Sequence, residues 1–294
     1  MPGGDNAEWF AMPIVRRSIM ISAAMAFLNS TPFAADQSVA PETDLALVLA
    51  ADISYSVDPD ELDLQRKGYI SAFRSPEIVK AIKSGFTGRV AVTYLEWAGP
   101  DSQAQIVPWT VIDGAETAFR FADRLAAETL HRSGETSISA ALEQAALLFE
   151  TAPPAPRRVI DLSADGYNNA GGSVLAAREW VLWRGITING LPILTDDATN
   201  LEAYFRDCVV GGPGAMLFPV QRPEDFAQTL LRKLVTEIAW QGPAGLVQVA
   251  AHPSADCAAG EKQARDDYLR QLHDLTNGRS ERWLPREEDW PTPK

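Results

Sequence analysis

Residues 45–56 read LALVLAADISYS. Residues 45–51 are an unbroken apolar run, the pattern of a strand buried on both faces of a sheet. The run ends in Asp52. In extended chain, alternate residues share a side, so Asp52, Ser54 and Ser56 project one carboxylate and two hydroxyls together. A strand end that offers only oxygen atoms, followed at once by a helix start, is the feature from which the rest of the chain is read.

Outward from it, strand and helix patterns alternate. Asp58-Pro59-Asp60-Glu61 opens a helix, with Asp58 as N-cap, Pro59 at N1 and Glu61 completing a capping box. Ser75-Pro76 starts another, with Ile78, Val79 and Ile82 inward and Gly85 as its stop. Residues 89–98 (RVAVTYLEWA) and 105–112 (QIVPWTVI) form an antiparallel hairpin, and Pro108 puts the second strand at an edge. Asp113-Gly114 caps the next helix. Ile138, Leu142, Ala145 and Phe149 mark one face of another. Residues 158–164 (RVIDLSA) form a strand that runs into Asp165-Gly166. A helix over 174–184, a strand over 186–194, a short helix from Leu201, a strand over 215–220 and a long helix opened by Pro223 complete the domain near Trp240. This order predicts an α/β, doubly wound, mainly parallel sheet with one antiparallel edge strand and helices on both faces.

The ends differ in character. Arg16-Arg17 precede an apolar run over 18–28, too short for a membrane span but the right size for an export signal. Residues 1–40 are read as a signal peptide of uncertain cleavage site, with Met12 as an alternative start. The chain is expected to be exported, to the periplasm or beyond, with no membrane span in its mature part. Residues 41–240 form the domain. Residues 241–294 form a tail, with a helix over 261–275 and a flexible end in which Trp283 and Trp290 are read as packing back. Cys208 and Cys257, the only cysteines, could pair in an oxidising compartment.

Composition sets the outer bounds. The 294 residues carry 26 Lys and Arg against 39 Asp and Glu, a formal charge of −13, which argues against a general nucleic-acid binder. A 46% hydrophobic and 22% charged chain is globular in composition.

Three loops, read as strand-to-helix junctions, carry the chemistry: Asp52-Ile53-Ser54-Tyr55-Ser56, Gly134-Glu135-Thr136 before the Ile138 helix, and Asp165-Gly166. In an open α/β sheet such loops gather at the carboxyl edge, where ligands bind. Their donors are hard oxygens without Cys or His, a set that selects Mg²⁺, Mn²⁺ or Ca²⁺. The plainer alternative is that the hydroxyls cap helices and Asp165 makes a turn. Asp161, four residues before Asp165 on the same strand face, is as readily a satisfied buried carboxylate as a supporting group. Glu135 is read as a surface charge. His131, His252 and His273 are scattered surface residues. Trp97 and Trp183 are read as packing residues, and Gly211 to Gly214 as a turn.

The combination resembles the von Willebrand factor type A domain and its metal-ion-dependent adhesion site, over roughly residues 44–240. Asp52, Ser54, Ser56, Thr136 and Asp165 match that site position by position. Residues 96–99 (EWAG), 165–169 (DGYNN) and 204–214 (YFRDCVVGGPG) narrow the resemblance to an exported bacterial subgroup of unknown function. The resemblance implies a bound divalent cation, Mg²⁺ ahead of Mn²⁺ and Ca²⁺, and a protein partner whose Asp or Glu completes the metal shell. It implies binding, in adhesion or complex assembly, and no enzymatic activity. Two alternatives differ in class. One is a Mg²⁺ phosphohydrolase with Asp52 as nucleophile. Ser54, however, stands where haloacid-dehalogenase-like phosphatases place an acid/base Asp. The other is a metal-free scaffold.

Overall fold

A computed structural model describes residues 43–195, 200–240 and 255–276, except the side chains of Gln271 and residues 274–276. The expected signal peptide, residues 241–254 with His252, and both tail tryptophans lie outside the described residues.

Five strands form one sheet in the order β3-β2-β1-β4-β5. β1 (Leu45–Asp52) is central and every residue in it is buried, which is why it carries no alternation of polar and apolar residues. It pairs in parallel with β2 (Val90–Trp97) on one side and with β4 (Arg158–Ala164) on the other. β5 (Thr187–Pro192) continues the parallel set beyond β4. β3 (Gln103–Ile112) returns antiparallel to β2 and forms the edge, where Pro108 is tolerated.

Helices cover both faces. On one, Leu45, Leu47 and Leu49 pack against α1 (Pro59–Phe73), α2 (Pro76–Lys83), α3 (Ala115–Ala127) and α7 (Phe226–Ala239). On the other, Ala46, Val48 and Ala50 pack against α4 (Ile138–Leu148), α5 (Val174–Trp183) and α6 (Leu201–Tyr204), which runs on as a π-helical turn over Phe205–Val209. The odd and even residues of β1 thus feed two separate cores, as strand periodicity requires. The capping box at Asp58 and Glu61 forms as read: the Asp58 side chain accepts from Asp60 N at 2.8 Å, and Glu61 accepts from Asp58 N at 3.3 Å.

The chain first builds β2 and β3 to one side of β1, then crosses to build β4 and β5 on the other. The strand order therefore reverses between β1 and β4. The crevice outside their carboxyl ends is where such a sheet can receive a ligand.

Two expectations fail here. Residues 215–220 do not form a sixth strand. They pair with β5 through isolated bridges, Leu217 with Gly190 and Val220 with Ile193. Pro192 lacks the N–H that would reach Phe218 O between those bridges. Trp183 does not pack in the core but is 83% exposed at the end of α5, whereas Trp97 is fully buried. Beyond the sheet, α8 (Ala259–Thr276) is the helix expected in the tail, and Cys257 just before it is disulfide-bonded to Cys208 with a Cα–Cα distance of 5.5 Å. Among the described residues no helix is long and apolar enough to cross a membrane.

Candidate metal centre

All five predicted site residues meet at the β1/β4 crevice. Asp52 ends β1, and its Oδ1 accepts from Ser54 N at 2.8 Å, which turns the chain out of the sheet. Thr136 Oγ1 donates to Ser54 Oγ at 3.0 Å. Ser54 Oγ and Ser56 Oγ lie 2.9 Å apart, and Ser56 Oγ donates to Asp165 Oδ1 at 2.7 Å. Three loops far apart in sequence are thus joined by one line of hydroxyls ending on a carboxylate. Asp52, Ser54, Thr136 and Asp165 are buried, and Ser56 is exposed at the mouth.

Backbone contacts hold the three loops in place. Ile53 N donates to Trp97 O at 2.9 Å, and Tyr55 N donates to Gly134 O at 3.1 Å. Gly134 sits at φ +46°, a conformation that favours glycine at this turn. The Arg132 guanidinium donates to Tyr55 O at 2.7 Å and lies over the Tyr55 ring, 5.6 Å from its centroid.

The sequence reading gave Asn168 and Asn169 no role, although it quoted them. Asn169 Oδ1 accepts from Thr136 N at 2.8 Å, and Asn169 N donates back to Thr136 O at 2.8 Å. Asn168 Oδ1 accepts from Ser139 N at 2.9 Å, in the first turn of α4. The loop after β4 therefore positions the Thr136 hydroxyl as well as Asp165. Only the adjacency of Asp165-Gly166 to two asparagines hinted at this.

The electrostatics leave room for a cation. Asp52 Oδ2 is buried without a hydrogen-bond partner. Burial, and then the negative charge of Asp165, hold the Asp52 carboxyl well above the usual carboxylate range. Burial also raises Asp165, while the Ser56 hydroxyl opposes the shift. A divalent cation would offset both effects by supplying the missing positive charge. At Gly166 a Cβ would make ordinary contact, 3.7 Å from Thr136 Oγ1 and 3.8 Å from Ser56 Oγ, so this residue lies directly against both hydroxyls. Among the described residues no three or more His, Cys, Asp or Glu side chains group as a metal cage. A cation here would rest on two carboxylates and hydroxyls, with water filling the remaining positions.

Ser56, Thr136 and Asp165 line a cavity of about 510 Å³ that α8 also borders. Glu135 is exposed, in keeping with a surface charge, and so are His131 and His273. Asp161 is not part of the centre; its carboxylate lies 2.5 Å from Lys233 Nζ of α7. Gly211 to Gly214 form a turn, with Gly212 at φ +94° and Gly214 at φ +69°.

A five-stranded sheet of this order, with one antiparallel edge and helices on both faces, is the fold of the von Willebrand factor type A domain. The chain belongs to the family described as "Protein of unknown function (DUF1194)", whose model matches residues 42–242. No curated protein matches the sequence. Among solved structures, proximal thread matrix protein 1 from the mussel byssus, in a form described as having a zinc-occupied MIDAS motif, is 13% identical with a TM-score of 0.51; the match covers 67% of this chain and 48% of that one. The pilus adhesin SpaC from Lactobacillus rhamnosus GG is 14% identical with a TM-score of 0.51, over 67% of this chain and 30% of that one. The match thus covers less than half of each of these two proteins. A von Willebrand factor type A protein from Catenulispora acidiphila matches at 15% identity and a TM-score of 0.47, over 67% and 43%. At these identities the likeness is one of fold.

Proposed function

We propose that this chain is an exported, metal-dependent protein-binding module. Asp52, Ser54, Ser56, Thr136 and Asp165 hold a divalent cation, directly or through water, and an Asp or Glu of a protein partner takes the coordination position that faces the cavity. The observation that carries this reading is Asp52 Oδ2, a buried carboxylate oxygen without a partner, beside hydroxyls that converge on a second carboxylate. The hydroxyls lower none of the cation's charge, and a carboxylate that reaches it through water lowers it only in part, so a third carboxylate is attracted to the open position. The mussel protein's motif is described with zinc. The all-oxygen donor set here favours Mg²⁺, then Mn²⁺ or Ca²⁺. Residues 1–40 are the export signal, 41–240 the module and 241–294 the tail. The Ser54 hydroxyl, hydrogen-bonded to Ser56 and Thr136, lies where a phosphohydrolase would need a carboxyl acid, so the module binds rather than catalyses.

The test is capture of proteins from the source organism's envelope fraction on immobilised mature chain, with Mg²⁺ or with EDTA, beside Asp165→Ala. A partner retained with Mg²⁺, released by EDTA and lost on the variant is expected. Retention indifferent to both chelator and substitution would favour the metal-free scaffold. Mg²⁺-dependent hydrolysis of p-nitrophenyl phosphate that disappears in Asp52→Ala would favour the phosphohydrolase.

A further inference from the structure

Helix α8 belongs to the tail, yet it lies against the metal-centre cavity. Gly260, Ala264 and Asp267 recur at helical spacing on one side of it, and all three line the cavity opposite Ser56, Thr136 and Asp165. At Gly260 a Cβ would overlap the Asn168 carbonyl oxygen, so any side chain there would force the helix off its seat. Asn168 Nδ2 donates to Glu261 Oε1 at 2.8 Å. The seat is thus the loop that also positions Asp165 and, through Asn169, Thr136.

The attachment is a short anchor before the helix, where Ala255 and Cys257 pack against the core on the α4 and α5 side. Cys257 is bonded to the buried Cys208, and Ala255 N donates to Asp207 Oδ2 at 3.1 Å. No described side chain of α8 joins either large hydrophobic cluster, and Tyr268 and Leu269 are exposed. A helix fixed by its N-terminal anchor, with no described side chain of its own in either large cluster, opens at low cost. Its Asp267, which also accepts from Arg270 at 2.7 Å, places a carboxylate in the lining of that cavity.

We infer that α8 is a disulfide-tethered lid on the metal centre, an internal occupant of the space a partner's acidic side chain must enter. The lid's purpose rests on the binding function proposed above, but its contacts do not depend on a metal. Opening leaves the tether intact: the helix swings about Cys257 while Cys208 stays in the core.

Hydrogen exchange on the metal-free chain tests the contact, and Mn²⁺ tests access. Three proteins are compared: the wild type, Gly260→Ala, and the double variant Cys208→Ser/Cys257→Ser. Gly260→Ala keeps the core and the disulfide, so it remains informative if the double variant folds poorly. Both variants are expected to exchange about tenfold faster over α8 and over residues 165–169, as loss of a charge-assisted hydrogen bond and its seat implies. Bound Mn²⁺ is expected to enhance water-proton relaxation more in the variants than in the wild type, because the lid no longer shields the ion. Unchanged exchange in Gly260→Ala overturns the lid, and so does equal relaxation in all three proteins with Mn²⁺ bound. Altered exchange without any Mn²⁺ binding supports the lid and instead overturns the metal reading.

Discussion

Lys233→Met is expected to destabilise the fold by about 3–5 kcal/mol at pH 7.5, the usual cost of removing one partner from a buried ion cluster. Lys233 on α7 is fully buried, with Nζ 2.5 Å from Asp161 Oδ2 of β4 and 2.9 Å from Glu237 Oε2 one helical turn on. Glu237 Oε1 also accepts from Asn189 Nδ2 of β5 at 2.9 Å. One ammonium therefore serves two carboxylates in the core. Without it, methionine fills the volume but both acids lose their counter-charge.

The effect is expected to depend on pH. Burial pushes Asp161 up to about 6 despite the Lys233 charge, and the nearby Glu237 adds to the rise. The unfolded chain holds this carboxyl near the ordinary value of about 4. Between about pH 4 and 6 the native state keeps a proton that the unfolded state has released. The stability from this group is therefore full below about pH 4 and is lost as pH rises through about 6, by about 3 kcal/mol. In Lys233→Met the Asp161 carboxyl holds its proton more strongly still, so the loss is greatest at pH 7.5 and shrinks toward pH 5. Urea unfolding at the two pH values reads this directly. An equal loss at both would mean that packing, not charge, is what Lys233 contributes.

Asp52→Asn is expected to raise the stability of the metal-free protein by about 0.5–2 kcal/mol while abolishing its response to Mg²⁺. The substitution keeps the acceptor that receives Ser54 N and removes an ionisable group whose charged form burial and Asp165 disfavour. In EDTA the variant should melt several degrees above the wild type, since about 1 kcal/mol is worth roughly 2–4 °C in a domain of this size. Added Mg²⁺ should raise the wild-type midpoint with concentration and leave the variant where it was. A stability sacrificed for binding is the pattern expected of a functional site. Calorimetric scans in EDTA that show the Asp52→Asn protein less stable than the wild type would mean that the aspartate is structural.

Much of this arrangement was legible in residues 45–56. A central parallel strand buries both faces, so β1 announces itself as an apolar run, and the polar residues after Asp52 mark its carboxyl end. Asp165 followed from topology, because loops after parallel strands share an edge; Thr136 lies between α3 and α4, so its place at that edge was legible only through the resemblance. What could not be read depends on contacts between distant residues. The hydrogen bonds from Asn169 to Thr136 and the seating of Gly260 on Asn168 have no local signature. The Cys208–Cys257 pairing was open because spacing does not determine bond geometry. The missing sixth strand at 215–220 shows apolar character outweighing proline in the reading but not in the fold. Trp183 shows that a large aromatic at a helix end can remain in solvent.

Calorimetric titration of Mg²⁺, Mn²⁺ and Ca²⁺ into the metal-stripped mature chain, beside Asp52→Ala, addresses the metal centre most directly. Saturable binding in the wild type that is absent from the variant is the expected result. Failure of the wild type to bind any of the three ions, or binding that survives in Asp52→Ala, would contradict a cation held at the β1/β4 crevice.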